Sequence, residues 1–364
     1  MTEASHSDAP PRRLTLFAGE TVADAARKAI AFGVESMTLN QAAAEGGDTE
    51  PLHQLRVASR RLRASIELFS GAIYAGQLKT FRRDIPWIAG QAGVVRECDV
   101  TSELLRNRSA KIDPALAESI APLFETLDAR RKSEHAVLYE MLASKRFRGL
   151  VAKMSRPAIK KAAGARTLGA AATQLMRTIA RSAMHFGGSL DNEAPAAAFH
   201  KLRVRIKRLR YALEMLKPLG GKRHKKTLAR LEELQESLGL YHDLTVASAW
   251  LHRYAETSAA PPKTVLAAGA LIQSLARREE KLRRRCMKMW RRFERSEAMR
   301  DTLDEIRRAG KLATMPAPKP ATSPDRNADS APAHHSQSTL HELNGGTETE
   351  HNSIASHSAT DITT

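Results

Sequence analysis

Along most of this chain, apolar and polar positions alternate with the period of an α-helix. Between residues 14 and 311, Ala, Leu, Met, Arg and Glu recur three and four places apart, and alternating β-branched residues are scarce. That pattern predicts an all-α fold. Turn-forming residues interrupt it at 46–51 (GGDTEP), 71–76, Asp113-Pro114, 164–169, 187–195 (GGSLDNEAP), 218–221 and 259–262. The breaks leave about eight long helical segments.

Two of these segments are versions of each other. HQLRVASRRLRASIELF at 53–69 and HKLRVRIKRLRYALEML at 200–216 agree at eight of seventeen positions, at an offset of 147. A second block keeps nearly the same register: Gly93, Arg96, Glu97 and Val100 align with Gly239, His242, Asp243 and Val246 at an offset of 146. Two matched blocks in register predict a duplicated unit, with repeat 1 at about 14–160 and repeat 2 at about 165–311. Four helices per copy is the smallest set that lets helices of this length cover their apolar stripes. The expected architecture is therefore two four-helix bundles related by a pseudo-twofold axis.

Each repeated helix has two chemical faces. At 100° per residue, His53, Arg56, Arg60 and Arg63 fall within about 80° of arc and form a stripe roughly 15 Å long. Leu55, Leu62, Ile66 and Phe69 lie about 130° away. His200, Arg203, Lys207 and Arg210 repeat the basic stripe, and Leu202, Leu209, Leu213 and Leu216 repeat the apolar face. Arg61 and Arg208 flank the two stripes. Solvated basic helix faces usually carry acidic residues one turn away. Here no acidic residue occurs at 51–66 or at 200–213. Neighbouring cations therefore repel, and a bound anion would relieve that repulsion. Arginine predominates, which suits bidentate contacts to phosphate oxygens. The two histidines either contact such a ligand or pack at the helix starts.

Composition narrows the partners. The 364 residues carry a formal charge of +18, with 42% hydrophobic and 5% aromatic residues. The segment 312–364 holds two basic and six acidic residues, a net −4, so residues 1–311 carry +22. A field of that size attracts nucleic acid, an acidic membrane surface or a soluble polyanion. Residues 1–13 and the tail at 312–364 are rich in Pro, Ala, Ser and Thr and poor in large apolar residues, so both are expected to be disordered. The tail histidines, His334, His335, His341, His351 and His357, lack the fixed geometry of a metal site. Cys98 and Cys286 have no ligand-spaced partners, so no disulfide framework, metal or cofactor is expected. No stretch reaches the ~18 apolar residues of a membrane span, and a cytoplasmic location is the expectation.

The spacing H-x-x-R-x-x-x-[RK]-R-L-R, present twice and each time followed by G-x-x-[RH]-[ED], resembles the CHAD family, the conserved-histidine α-helical domain. SKRFRGL at 144–150 and Trp290-Arg291-Arg292-Phe293 are also similar to family segments. The resemblance spans roughly 14–311. It implies two bundles around a basic channel, and binding of inorganic polyphosphate, often at intracellular polyphosphate granules. The implied ligand set is His53, Arg56, Arg60, Arg61 and Arg63 with His200, Arg203, Lys207, Arg208 and Arg210. Arg96, Glu97, Asp99, His242 and Asp243 are supporting candidates. Glu97, His242 and Thr245 depart from the usual R-D-x-D-V block, and the carboxylates read as orienters of nearby arginines.

No catalytic role is expected. The sequence has no E-x-E-x-K stretch of the CYTH hydrolase domain often fused to CHAD, no phosphate-binding P-loop, no H-E-x-x-H and no G-x-S-x-G. One rival is nucleic-acid binding, which uses the same cations with the same salt dependence. Single-strand binders add aromatic platforms for bases, and only Tyr211 lies at the edge of a stripe. The other rival is a granule scaffold whose tail recruits further proteins.

Overall fold

The structure, a computed structural model, describes residues 14–46, 49–257 and 260–312. The predicted disordered N-terminus and all but the first residue of the tail, with its histidines, lie outside the described residues. Twelve α-helices are present among those described: α1 (Val22–Leu39), α2 (Gln41–Glu45), α3 (Thr49–Leu68), α4 (Ala75–Ser109), α5 (Pro114–Ala117), α6 (Ala121–Ala143), α7 (Lys145–Ser155), α8 (Leu168–Gly188), α9 (Ala196–Met215), α10 (Lys222–Ala255), α11 (Pro262–Arg295) and α12 (Ala298–Leu312). There is no β-strand among the described residues, so the fold is all-α, as the periodicity predicts.

Helix starts follow local chemistry. Thr21 caps α1 by accepting a bond from the Asp24 N–H, Thr167 caps α8 through the Ala170 N–H, and Ser144 caps α7 through the Phe147 N–H. Each such cap satisfies one of the donors that a helix N-terminus leaves open. The Thr21 and Thr167 segments also pair with each other as an isolated antiparallel bridge. The Val22 N–H donates to the Arg166 carbonyl at 2.9 Å and the Leu168 N–H to the Glu20 carbonyl at 2.7 Å. At an offset of 146 these two bonds are each other's counterparts.

Packing follows the same succession in both halves: α1 on α3, α3 on α4 and α4 on α6, then α8 on α9, α9 on α10 and α10 on α11. A shorter helix joins each set, with α7 packing on α1, α4 and α6, and α12 on α8 and α10. One core gathers Ile30, Leu55, Leu62, Ile66, Ile85 and Phe147. The other gathers Phe199, Leu202, Leu209, Leu213, Leu216 and Trp290, and draws in Phe69 and Leu105 from the first half. All eight apolar positions of the two predicted stripes are buried. Fully burying one such side chain contributes roughly 1.5–3 kcal/mol. A like-charge pair one turn apart costs about 0.2–0.5 kcal/mol. Burial therefore wins, and the basic helices form despite their repulsion.

The other two segments similar to CHAD sequences are structural. Arg146 donates to Asp84 at 2.5 Å and lies over the Trp87 ring at 4.0 Å. Hydrogen bonds from Arg83 and then Arg146 hold the Asp84 carboxyl down at about 2. Trp290 is fully buried, and Arg291 reaches the Leu190 carbonyl and Glu294. Cys98 and Cys286 are both buried free thiols.

Gly187 makes room for Trp290, since a Cβ there would meet the indole ring at 2.0 Å. Gly187→Ala should therefore destabilise the protein by about 1–3 kcal/mol in urea unfolding. Gly90→Ala, in the interior of α4 with nothing within 4 Å of the added carbon, should instead stabilise it by about 0.5–1 kcal/mol.

Candidate functional site

The two basic helices lie against each other, α3 packing on α9, while the long helices α4 and α10 also meet. Contacts advance in step along α3 and α9. Arg56 acts electrostatically on Arg203, Arg63 on Arg208, and Ser65 Oγ lies 3.2 Å from Met215 Sδ. Where the four helices converge they enclose a cavity of about 250 Å³. His53, Arg56 and Arg60 of α3, Arg96 and Glu97 of α4, Arg203 of α9, and His242 and Asp243 of α10 line it. The two sequence blocks recur together because they touch. Arg56 donates to the Gly93 carbonyl at 3.4 Å, and a Cβ on Gly239 would stand 3.8 Å from the Arg203 guanidinium.

The cavity concentrates cations that have little to neutralise them. The Nε–H groups of Arg60 and Arg203 in its lining are buried without a hydrogen-bond partner among the described residues, as are those of Arg205 and Arg208 further along α9. A buried donor in that state costs about 1–3 kcal/mol. Burial, followed by repulsion from Arg60 and Arg203, lowers the Arg56 guanidinium to about 10. Lys207 is pushed down to about 6, first by burial and then by Arg203, Arg60 and Arg56. Burial and then Arg203 take His242 down to about 3. The His53 and His200 rings also fall below their ordinary value, burial again being the larger cause. All three imidazoles are thus shifted towards the neutral form in the unliganded protein.

The carboxylates divide by role. Asp99 accepts from Arg131 at 2.6 Å and stands 3.8 Å from Arg96, and Glu97 pairs with Arg130 at 3.7 Å. Both pair with arginines. Asp243 lines the cavity, where burial raises its carboxyl against the opposing pull of Arg203, Lys207, Arg56 and Arg96.

The ten stripe and flanking residues do not stay together. His53, Arg56, Arg60 and Arg203 reach the cavity, and Lys207 couples to its arginines. His200 stands behind His242, with Nδ1 to Nδ1 at 3.3 Å and ring centroids 4.5 Å apart. Arg63 opens onto a separate cleft with Glu67 and Arg82, facing Arg208 across the helix pair. Arg61 is exposed and faces Glu214. Arg210 is neutralised: it pairs with Glu214 and with Glu232 at 3.6 Å, donates to Gln235 at 2.9 Å and covers the Tyr211 ring. The acid-free window in the sequence ends one residue before Glu214, which compensates Arg210 one turn along the same helix, and Glu232 adds to it from α10. Thr101, absent from the sequence reading, also lines the cavity. Its only signal is helical spacing from Glu97 on α4.

Among the described residues no three His, Cys, Asp or Glu side chains stand together as a metal site, and no helix is long and apolar enough to cross a membrane.

Comparison with known proteins agrees with this architecture. The CHAD domain family model matches residues 28–252, more than half of the chain. This chain belongs to the CHAD domain family. Among solved structures, it is similar to the CHAD domain from the plant Ricinus communis, with a TM-score of 0.61 and 25% identity over 86% of this chain and 99% of that one. It is also similar in fold to PptA from Streptomyces chartreusis, with a TM-score of 0.63 and 18% identity over 75% of this chain and 100% of that one. No curated protein sequence matches it.

The depressed Lys207 amine gives the site a proton signature. An anion bound beside it raises its affinity for a proton, so binding near pH 7.5 should take up close to one proton per site. Affinity should accordingly rise as pH falls from 8 towards 6. Calorimetric titration of long-chain polyphosphate in two buffers of different ionisation enthalpy measures the uptake. Lys207→Met should remove most of it while raising the melting temperature of the free protein.

Proposed function

We propose that the chain binds inorganic polyphosphate, without turning it over, in the cavity where α3 and α9 face each other. The observation that carries this reading is the convergence of four guanidinium groups, Arg56, Arg60, Arg96 and Arg203, from three helices onto one cavity. Two of them, Arg60 and Arg203, hold buried N–H donors that have no partner among the described residues. Phosphate oxygens accept from such donors, and the charge-assisted bonds are worth roughly twice neutral ones. Membership of the CHAD family fits polyphosphate binding in general.

The lining also argues for a ligand with phosphates and no bases. It contains no Phe, Tyr or Trp. Tyr211, the one aromatic at the edge of a stripe, is buried and lies under Arg210, out of reach of a stacked base. The functional unit in this reading is the segment of about 14–311, used as two repeats. Its cellular counterpart is attachment to polyphosphate granules, with the tail left free for granule proteins.

Long-chain polyphosphate, duplex DNA and single-stranded RNA should be titrated in one buffer at moderate salt. Polyphosphate is expected to bind most tightly and to be recovered at unchanged length. Equal affinity for all three would overturn the reading. The two helices should contribute together: Arg56→Glu with Arg60→Glu, and Arg203→Glu with Lys207→Glu, should each weaken binding by about 100-fold or more, about 1.5 kcal/mol or more per lost contact. One neutral pair would mean that the site is not shared between the two helices.

A further inference from the structure

The central cavity continues past the residues of the repeated motif. It shares Arg96, Val100 and Asp243 with a second cavity of about 320 Å³, which adds Glu103 and Arg108 of α4 and Arg278 of α11. That cavity in turn shares Arg108 and Arg278 with a third of about 480 Å³, to which α11 adds Arg277, Lys281 and Arg285. The three form one path from the α3–α9 junction into the groove between α4 and α11.

We propose that the far end of this path, lined by Arg108, Arg277, Arg278, Lys281 and Arg285, is a second anion subsite that holds phosphate groups of a polyphosphate chain emerging from the central cavity. This rests on the polyphosphate reading above and extends it, since it makes the protein sensitive to chain length.

Charge distribution along the path supports the assignment. In the middle section Glu103 and Asp243 stand against Arg96, Arg108 and Arg278, a net excess of one positive charge that lets a polyanion pass without trapping it. The end section has five cations and no acid. Arg277, Lys281 and Arg285 are spaced four residues apart on α11 and so form a row roughly 12 Å long. None of the five makes an ion pair among the described residues. On the same helix, Arg283 and Arg284 pair with Glu280, and Arg291 pairs with Glu294.

The two ends differ in burial, and that separates their tasks. Arg277, Arg278, Lys281 and Arg285 are exposed, whereas the central arginines are largely desolvated. Exposed cations stay hydrated and cost little when empty, but each phosphate they neutralise adds to affinity and to its salt dependence. A ligand of a few phosphates fills the central cavity alone. A long chain occupies both.

The test compares tripolyphosphate with long-chain polyphosphate on the whole chain. Arg277→Glu, Lys281→Glu and Arg285→Glu together should weaken long-chain binding by at least about tenfold, lower its salt slope by about 2, and leave tripolyphosphate affinity within about twofold. The corresponding triple Gln variant should show a smaller loss of the same kind. Lys222→Glu, Lys225→Glu and Lys226→Glu at the other end of α10, all exposed, match the charge change and should leave the long-chain advantage in place. The subsite is overturned if both ligands weaken equally, if neither weakens, or if the α10 variant reproduces the loss. Failure of wild-type protein to bind either phosphate polymer would overturn the central reading, and it would show before any variant was made.

Discussion

The organising constraint of this protein is electrostatic. Two helices rich in arginine are held side by side with few acids between them, so the charges repel and several donors are buried without partners. Such an arrangement is unfavourable in isolation. It persists because the opposite faces of the same helices, Leu55, Leu62, Ile66 and Phe69 on α3 and Leu202, Leu209, Leu213 and Leu216 on α9, are buried in the two cores. Apolar burial on eight side chains exceeds the mutual repulsion of a handful of cations. The strain left in the cavity is what an anion relieves.

That balance also sets the protonation of the site. Lys207 and the three imidazoles resist protonation in the unliganded protein because burial excludes water from them and, second, because the arginines are already there. The carboxylates limit the repulsion without cancelling it. Asp99 and Glu97 also pair with Arg131 and Arg130, outside the motif set, and Asp243 makes no ion pair within 4 Å among the described residues. Arg210 shows the alternative outcome: once Glu214 and Glu232 reach it, the cation is satisfied internally and no longer needs a ligand.

Much of the fold could be read from residue spacing. The period of three and four specified helices, and the eight apolar stripe positions all went inside. The site was legible in part. His53, Arg56, Arg60 and Arg203 could be chosen because an acid-free run with one basic face needs an explanation that packing does not supply. The shorter helices α7 and α12 were harder to place, because a segment of three or four turns is ordered by the helices it packs on more than by its own pattern.

The sequence by itself determined which face of each repeated helix is basic and which is apolar, since helical geometry assigns faces from spacing alone. It could not determine which cations keep their charge free. That depends on each cation's neighbours: Arg210 has Glu214 one turn along its own helix and Glu232 from α10, whereas Arg203 meets Arg60 of α3 and Asp243 of α10. Nor could spacing show that Arg108 of α4 and Arg278 of α11, 170 residues apart in the sequence, line one groove with the motif residue Arg96. Helical periodicity is local, whereas electrostatic compensation and cavity shape are properties of neighbours in space, and only the packing of α3, α4, α9, α10 and α11 decides who those neighbours are.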